Sequence, residues 1–266
     1  MSDADSALIV IKFGGTALGS PARIRRAAAR VAAHRRAGES VVVVVSATGH
    51  TTDRILHWLR ALGACGTETS CRESERALAT GEDLASAYLA FALDADGVPA
   101  VSLRGGEAGL LAAGPFGAAR LFELAYARLR DLLAMGVVPV VAGFQGVRSD
   151  GETVTLGRGG SDTSAVFLAA ALAAQTCHIV TDVRGVYDRD PRRHASARLI
   201  RRLSHRELVR LTESGAHVVH PDAASLAARH GTPLHIYGYR APIPARTKTV
   251  VAAEAIHAGR ALACHS

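Results

Sequence analysis

A lysine just ahead of two glycines, Lys12-Phe13-Gly14-Gly15, is the first stretch of the sequence that could do chemistry. Glycine amides can approach an anion closely and form a nest for it, and the lysine adds a mobile positive charge. This combination suits a phosphate group, although a plain strand-to-helix turn with a chance lysine is an equal alternative. The spacing matches neither G-x-x-x-x-G-K-[ST] nor G-x-G-x-x-G, which argues against a P-loop or a dinucleotide site.

A second glycine-rich turn, LGRGGSDTSAV, occupies residues 156–166 and runs into an apolar stretch. Its flexible backbone and the N-terminus of the helix that follows would attract an anion. Arg158 can bind a carboxylate through two parallel hydrogen bonds. Asp162 would repel a phosphate, so we interpret it as the residue that orients Lys12. The alternative is that Ser161 or Asp162 only caps the helix.

Polar groups also follow two other predicted elements. The hydroxyls of Ser46 and Thr52 could bind carboxylate or phosphate oxygens, but a helix cap at Thr52 or Asp53 is the favoured interpretation of either one alone. Glu82 follows a glycine inside a helical pattern, where glycine is costly and suggests a packing or functional reason. Its carboxylate could meet an ammonium group, although a solvated carboxylate is the simpler interpretation.

The stretch 181–192, TDVRGVYDRDPR, carries groups that could hold a nucleotide. Asp182 could accept hydrogen bonds from ribose hydroxyls, Tyr187 could stack on a base, and Arg192 could reach phosphates. As a generic loop the same stretch would be unremarkable, so its residues alone leave both interpretations open.

The elements that must position these side chains alternate between apolar strands and amphipathic helices. Strands are predicted at 7–13, 41–45, 98–103, 137–142, 178–181 and 233–237. Helices are predicted at 21–37, 53–62, 73–93, 121–135, 161–174, 205–212 and 221–230. This alternation indicates a parallel sheet covered on both faces, and ligands of such sheets bind beyond the carboxyl ends of the strands.

The composition limits the function classes. Hydrophobic residues form 48% and charged residues 21% of the 266 residues, as in ordinary globular proteins. The net charge is +7, but the arginines are dispersed and aromatic residues are only 5%, so we do not expect nucleic-acid binding. The sequence shows no apolar run of membrane-spanning length, no secretory signal and no CxxC pair among four cysteines. We therefore expect a cytoplasmic protein without a membrane or structural metal partner.

Taken together, these stretches resemble the aspartate kinases of the amino-acid kinase superfamily. The matching segments follow in the family's order and cover nearly the whole chain: 12–17, 41–53, 78–85, 116–120, 140–146, 155–166, 181–192 and 214–223. The resemblance implies an α/β fold, a three-layer αβα sandwich with a mostly parallel central sheet. It further implies a single domain over 1–266, in which the part up to about 150 binds the acceptor and the rest binds ATP.

The resemblance also implies a reaction, the ATP-dependent phosphorylation of the side-chain carboxylate of L-aspartate or a related acid. Lys12 would bridge the transferring phosphate, and Asp162 would orient Lys12. The residues that would bind the acceptor are Ser46, Thr52, Glu82, Phe144, Arg158 and Ser161. Those that would bind the nucleotide are Gly14, Gly15, Thr181, Asp182, Tyr187 and Arg192. Magnesium would be held by ATP oxygens and waters rather than by a protein-only cage.

Several positions depart from the family pattern. Ala17 replaces a serine, 104–109 reads RGGEAG where TGWQAG is usual, and His217 replaces a lysine. The sequence also stops near the point where aspartate kinases continue into ACT regulatory domains, so we expect no internal site for feedback inhibition. Two alternatives stay open, a kinase of the same fold acting on a different acid and a catalytically silent sensing subunit. A homodimer is a further expectation.

Overall fold

The computed structural model of the chain describes residues 7–189, 191, 194–215 and 218–253. The strands of this part are β1 (Leu8–Phe13), β2 (Ser40–Val45), β3 (Ala100–Leu103), β4 (Leu110–Ala113), β5 (Arg120–Leu124), β6 (Val138–Ala142), β7 (Gln145–Val147), β8 (Thr153–Thr155), β9 (Thr176–Thr181), β10 (Arg202–Ser204), β11 (Leu234–Gly238) and β12 (Thr249–Ala252). Its α-helices are α1 (Pro21–Arg36), α2 (Thr51–Ala61), α3 (Glu68–Ala95), α4 (Ala127–Ala134), α5 (Gly160–Ala171), α6 (His205–Glu213) and α7 (Pro221–His230). A short 3-10 helix, Gly15–Leu18, follows β1.

The main sheet has eight strands in the order β10-β12-β11-β9-β1-β2-β6-β3. Only β11 and β12 pair antiparallel, so the predicted mostly parallel sheet is confirmed. Strand β1 lies between β2 and β9, and its Lys12 is level with Val44 on one side and Ile179 on the other. The ends of these three strands therefore meet at one edge of the sheet.

Helices cover both faces of this sheet, which explains the unbroken run of valines in β2. Val41, Val43 and Val45 pack in an apolar cluster with side chains of α1 and α3. Val42 and Val44 point the other way and pack with side chains of α5 and α7. Both sets are fully buried, because successive side chains of a strand face opposite sides and both sides are covered here. The predicted three-layer αβα arrangement is confirmed.

A second sheet, with four short strands in the order β5-β4-β7-β8, was not predicted. It also corrects one helix, because the helix predicted at 121–135 begins only at Ala127 and its first part forms β5. The apolar spacing of Leu121 and Leu124 fits a helix, but Leu121 instead packs against the small apolar cluster of this sheet and Leu124 packs in the main core. The pairing of β5 with β4 overrode the local pattern.

The helix caps suggested by the sequence are also wrong. Helix α2 begins at Thr51 after His50, and α5 begins at Gly160 after Gly159; in neither case does a side chain cap the helix. The side chains of Thr52, Ser161 and Asp162 are therefore available for other contacts. Within the described ranges, every helix is too short or too polar to span a bilayer.

Candidate active site

The ion pair between Lys12 and Asp162 lies at the edge where β1, β2 and β9 end. Lys12 Nζ is 2.7 Å from Asp162 Oδ1, and the two side chains are only 10% and 12% exposed. Asp162 Oδ2 accepts a hydrogen bond from the His220 amide at 3.1 Å, so the start of α7 fixes the carboxylate from the other side. The sequence prediction that these residues meet is confirmed, and the interpretation of Asp162 as only a cap is wrong.

The turn after β1 brings backbone very close to the end of β2. A Cβ atom on Gly15 would lie 2.5 Å from the Ala47 carbonyl oxygen, so no larger residue fits without a shift. The Gly15 carbonyl accepts from the Gly49 amide at 3.0 Å, which ties the two turns together. The Gly14 amide donates to the Val180 carbonyl at 3.0 Å, so it is committed to the sheet. The amides of Gly15 and Thr16, at the start of the 3-10 helix, have no acceptor inside that helix.

Replacing Gly15 by alanine is expected to destabilise the protein by about 1–3 kcal/mol, because the added methyl group must push the β1 and β2 turns apart. Urea unfolding of Gly15→Ala and wild type would measure the difference. Gly66→Ala is the matched control, since a Cβ atom there meets nothing within 4 Å. Equal midpoints for Gly15→Ala and Gly66→Ala would contradict the close approach.

A cavity of about 500 Å³ opens near the turn that follows β1. Side chains from α2, α3, α5 and the loops before β7 and α5 line it, and they include Thr52, Glu82, Phe144, Arg158 and Ser161. The Ser161 hydroxyl is 2.7 Å from the Ser46 hydroxyl, which places the end of β2 at the cavity as well. Five of the six residues that the sequence analysis assigned to an acceptor therefore line one cavity, and the sixth, Ser46, contacts one of them.

Glu82 is a buried carboxylate, and only one of its two oxygens accepts a hydrogen bond from another described residue. Its Oε1 accepts a hydrogen bond from the Ala47 amide at 2.8 Å, and its buried Oε2 has no hydrogen-bond partner among the described residues. Burial raises the pKa of Glu82 to about 7, outweighing the opposing effect of the Ala47 amide. The simpler interpretation of Glu82 as a solvated carboxylate is wrong. Such a group is suited to receive a cation that enters the cavity.

Two further cavity residues have unusual surroundings. Arg158 is exposed and makes no ion pair with another described residue, so its guanidinium is available to a ligand. Phe144 adopts a φ of 68°, a left-handed conformation that costs a bulky residue of order 1–3 kcal/mol. Hydrogen bonds hold it there, because its amide donates to Ser164 Oγ at 3.1 Å and its carbonyl accepts from Leu156 at 2.8 Å.

The glycine before α5 serves the packing of this turn against α7. Gly159 has a φ of 71°, and a Cβ atom there would lie 2.0 Å from the His220 ring. Because only glycine fits both the backbone and the space, the start of α5 can rest on the start of α7. This contact places Asp162 within reach of the His220 amide.

Glu75 is a cavity residue that the sequence analysis missed. It is 3% exposed, and its carboxylate accepts hydrogen bonds from both the amide and the hydroxyl of Thr155. The pair joins α3 to β8, and both residues line the cavity. No sequence signal separated Glu75 from the other charged residues of its helix, because its partner belongs to the unpredicted second sheet.

Of the residues assigned to the nucleotide, Gly14 and Gly15 form the Lys12 turn itself, and the others lie at the end of β9 or after it, where β9 runs beside β1 on the side away from β2. Thr181 ends β9 one residue beyond Val180, which accepts from the Gly14 amide, and its hydroxyl is 3.2 Å from Asp182 Oδ1. Tyr187 is half-buried and forms an isolated bridge with Leu199. Neither Thr181, Asp182 nor Tyr187 lines the 500 Å³ cavity. Arg192 and His217 lie outside the described residues.

Comparisons with known proteins place this geometry in a family. The sequence pattern of the amino acid kinase family matches residues 7–238. The aspartokinase of Geobacillus stearothermophilus is 45% identical over 229 residues, which are 86% of this chain and 56% of that protein. The crystal structure of aspartate kinase from Synechocystis superposes with a TM-score of 0.80 at 39% identity, over 94% of this chain and 41% of that chain.

A third relative carries ligands. The crystal structure of E. coli aspartokinase III in complex with aspartate and ADP superposes with a TM-score of 0.80 at 26% identity, over 93% of this chain and 65% of that chain. The present chain spans about half the length of the curated relatives it matches. The family pattern covers both sides of the Lys12 turn and most of the described sequence, and the chain therefore belongs to the amino acid kinase family.

Proposed function

We propose that the chain transfers the γ-phosphoryl group of ATP to the side-chain carboxylate of L-aspartate, giving 4-phospho-L-aspartate and ADP. One observation carries this proposal: the cavity beside the Lys12–Asp162 pair is lined by a buried carboxylate, one oxygen of which has no hydrogen-bond partner among the described residues, and by an arginine that pairs with none of them. The relatives named aspartokinase support the choice of substrate, as does the neighbour whose structure holds aspartate and ADP.

The cavity offers complementary groups for each end of the amino acid. Glu82 Oε2 would accept from the α-ammonium group, because no described residue satisfies it. Arg158 would bind the α-carboxylate, with the Ser161 hydroxyl beside it and the Phe144 turn closing that side. Ser46 and Thr52 would contact the acceptor near the tip of β2. The side-chain carboxylate would then point toward Lys12.

The chemistry needs positioning and charge neutralisation more than a proton acceptor. An aspartate carboxylate oxygen is already a nucleophile; it bonds to the γ-phosphorus as the bond from that phosphorus to the β–γ bridging oxygen breaks, and ADP leaves. Lys12 would stabilise the charge on the transferring group. Asp162 would hold the ammonium of Lys12 in place through the 2.7 Å contact. Because both are nearly buried, their field acts with little screening by water.

The nucleotide side of the proposal rests on the second half of the chain. Thr181, Asp182 and Tyr187 would contact ATP, with Arg192 as a further contact outside the described residues, and Gly15 would offer an amide to the phosphates. Among the described residues no group of three His, Cys, Asp or Glu side chains is placed to hold a metal ion. As the family resemblance implies, magnesium would be held by phosphate oxygens and waters, and it would supply further charge neutralisation.

The division into an acceptor side and a nucleotide side also gives a proposal for the domain organisation. Residues up to about 150 would contribute most of the acceptor side and the remainder most of the ATP side, within one domain over 1–266. The cavity qualifies this division, because Arg158 and Ser161 come from the second part yet line the acceptor side.

Coupled measurement of ADP release tests the proposed reaction. L-Aspartate should support turnover well above the rate with water alone at saturating ATP and magnesium. No turnover with L-aspartate or any related acid would end the proposal in favour of the silent sensing subunit.

A kinase of a different acid is the second candidate, and one observation favours it. Arg104, in the stretch 104–107 that departs from the family pattern, contacts Asp83, which follows Glu82 in the sequence: its Nε lies 3.6 Å from Asp83 Oδ2. Gln145 joins this group, since its Nε2 donates to Asp83 Oδ1 at 2.9 Å and its Oε1 accepts from the Gly105 amide at 3.4 Å. A panel of amino acids and dicarboxylic acids decides between the two, because aspartate ranking well below another acid would favour this candidate.

Arg158→Ala is expected to raise the acceptor KM by roughly ten- to a hundredfold with a smaller change in kcat, because it removes a charged hydrogen bond to the bound acid. Steady-state kinetics at varied L-aspartate would measure it. Arg128→Ala on α4, exposed and away from the cavity, is the control. An unchanged acceptor KM in Arg158→Ala would show that Arg158 has another role.

A further inference from the structure

A second cavity lies on the α1–α3 side of the sheet and is larger than the first. It has a volume of about 900 Å³ and is bounded by the 3-10 helix and α1, by the turn before α2, and by one face of α3. None of its lining residues lines the 500 Å³ cavity. The two cavities are separated at the start of α2, where Thr51 lines this one and Thr52 lines the other.

One wall of this cavity is apolar and open to solvent. Tyr88 and Phe91 of α3 are 48% and 78% exposed, and Leu18 and Ile24 form the opposite side. The spacing of Tyr88 and Phe91 places both side chains on the same face of the helix. Large aromatic side chains gathered in an exposed concave surface are typical of a binding site rather than of a solvated face.

Two arginines, Arg25 and Arg54, give the rim of the cavity positive charge, and Asp96 is the one carboxylate among the lining residues. Arg25 makes no ion pair or hydrogen bond with another described side chain, and Arg54 has only a 3.4 Å hydrogen bond to Thr51 Oγ1. His50 already faces Asp53 at 3.3 Å. Among the described residues neither arginine has a carboxylate partner, so both guanidinium groups can bind an anion beside the aromatic wall.

We propose that this cavity binds a small organic anion with an aromatic or branched apolar body. The apolar part would lie against Tyr88 and Phe91, and the anionic group would be held by Arg25 and Arg54. A neutral apolar molecule would leave the arginines unused, and a small inorganic anion would leave the aromatic wall exposed. The site is distinct from the proposed acceptor site, so it does not depend on the proposed kinase activity.

Calorimetric titration with 4-phenylbutyrate and with its uncharged amide, 4-phenylbutanamide, tests the proposal on the whole chain. The acid is expected to bind saturably at low-millimolar concentration and about tenfold more tightly than the amide, because only the acid forms charge-assisted hydrogen bonds. The double variant Arg25→Gln/Arg54→Gln should lose this tenfold preference. Phe91→Ser should weaken both compounds. Because these side chains lie at the surface of the cavity, the variants are expected to fold, which circular dichroism checks.

Matched controls and competition separate this cavity from the rest of the protein. Arg128→Gln/Arg229→Gln and Phe122→Ser change exposed residues elsewhere and should bind the acid as wild type does. Saturating L-aspartate and ATP should not displace the acid. The proposal is overturned if the acid does not bind, if it binds no better than its amide, if L-aspartate or ATP displaces it, or if the cavity variants bind like wild type.

Discussion

Lys12→Ala is expected to lower kcat by about a thousandfold while the affinity for ATP changes only a few-fold. Lys12 would act mainly on charge that develops during transfer, so its loss removes stabilisation of the transition state rather than of the bound nucleotide. Single-turnover kinetics would measure the chemical step, and a fluorescent nucleotide would measure binding. Lys248→Ala is a well-matched control, because Lys248 is the only other lysine of the chain.

A structural explanation of that loss has to be separated from a catalytic one. Removing Lys12 leaves Asp162 buried without its counter-ion, which is expected to destabilise the fold. The double variant Lys12→Ala/Asp162→Ala removes both charges and should recover much of the stability lost in the single variant. It should not recover kcat. Recovery of both in the double variant would show that Lys12 acts only through the fold, and retention of kcat in Lys12→Ala would exclude its proposed role.

The contact between Lys12 and Asp162 could be predicted although 150 positions separate them, because both carry a signal for the same edge of the sheet. Lys12 lies near the end of a buried strand, and Asp162 lies at the start of a helix after a glycine turn. Parallel α/β topology brings strand ends and helix starts together, so local patterns sufficed. The remaining step is chemical: a carboxylate near a phosphate site would repel the phosphate, so Asp162 is expected to pair with Lys12.

The burial of Glu82 could not be predicted in the same way. A glutamate in a helix is usually solvated, and whether Glu82 is buried instead depends on how closely α3 approaches the end of β2. Gly81 permits that approach, since a Cβ atom there would lie 2.9 Å from the Ala47 side chain. The sequence marks this glycine as one that needs a packing or functional reason, but only the fold identifies Ala47 as its neighbour. The second sheet was missed for a similar reason, because its strands of three to five residues depend on non-local pairing.

Glu82→Gln is expected to raise the acceptor KM by roughly ten- to a hundredfold, because the amide leaves the acceptor ammonium without a counter-charge. The pH profile gives a sharper test than the single value. Burial raises the pKa of Glu82 in the free protein to about 7, so the carboxylate that would bind the ammonium is lost as the pH falls through that value. The kcat/KM for L-aspartate should therefore fall below about pH 7 in wild type, and Glu82→Gln should lack this limb.

The stability of the wild-type fold should change with pH in the opposite direction to its activity. A carboxyl whose pKa is higher in the folded than in the unfolded state favours folding below its unfolded value of 4.5, and this contribution is lost as the pH rises through about 7. At pH 8 the free wild-type protein therefore buries a charge that Glu82→Gln does not have. The variant should be more stable there by up to about 3 kcal/mol, with the difference vanishing near pH 4. Urea unfolding at both pH values measures this difference. A variant that is less stable at pH 8 would mean that Glu82 has a structural partner, and an unchanged pH profile would remove it from the acceptor site.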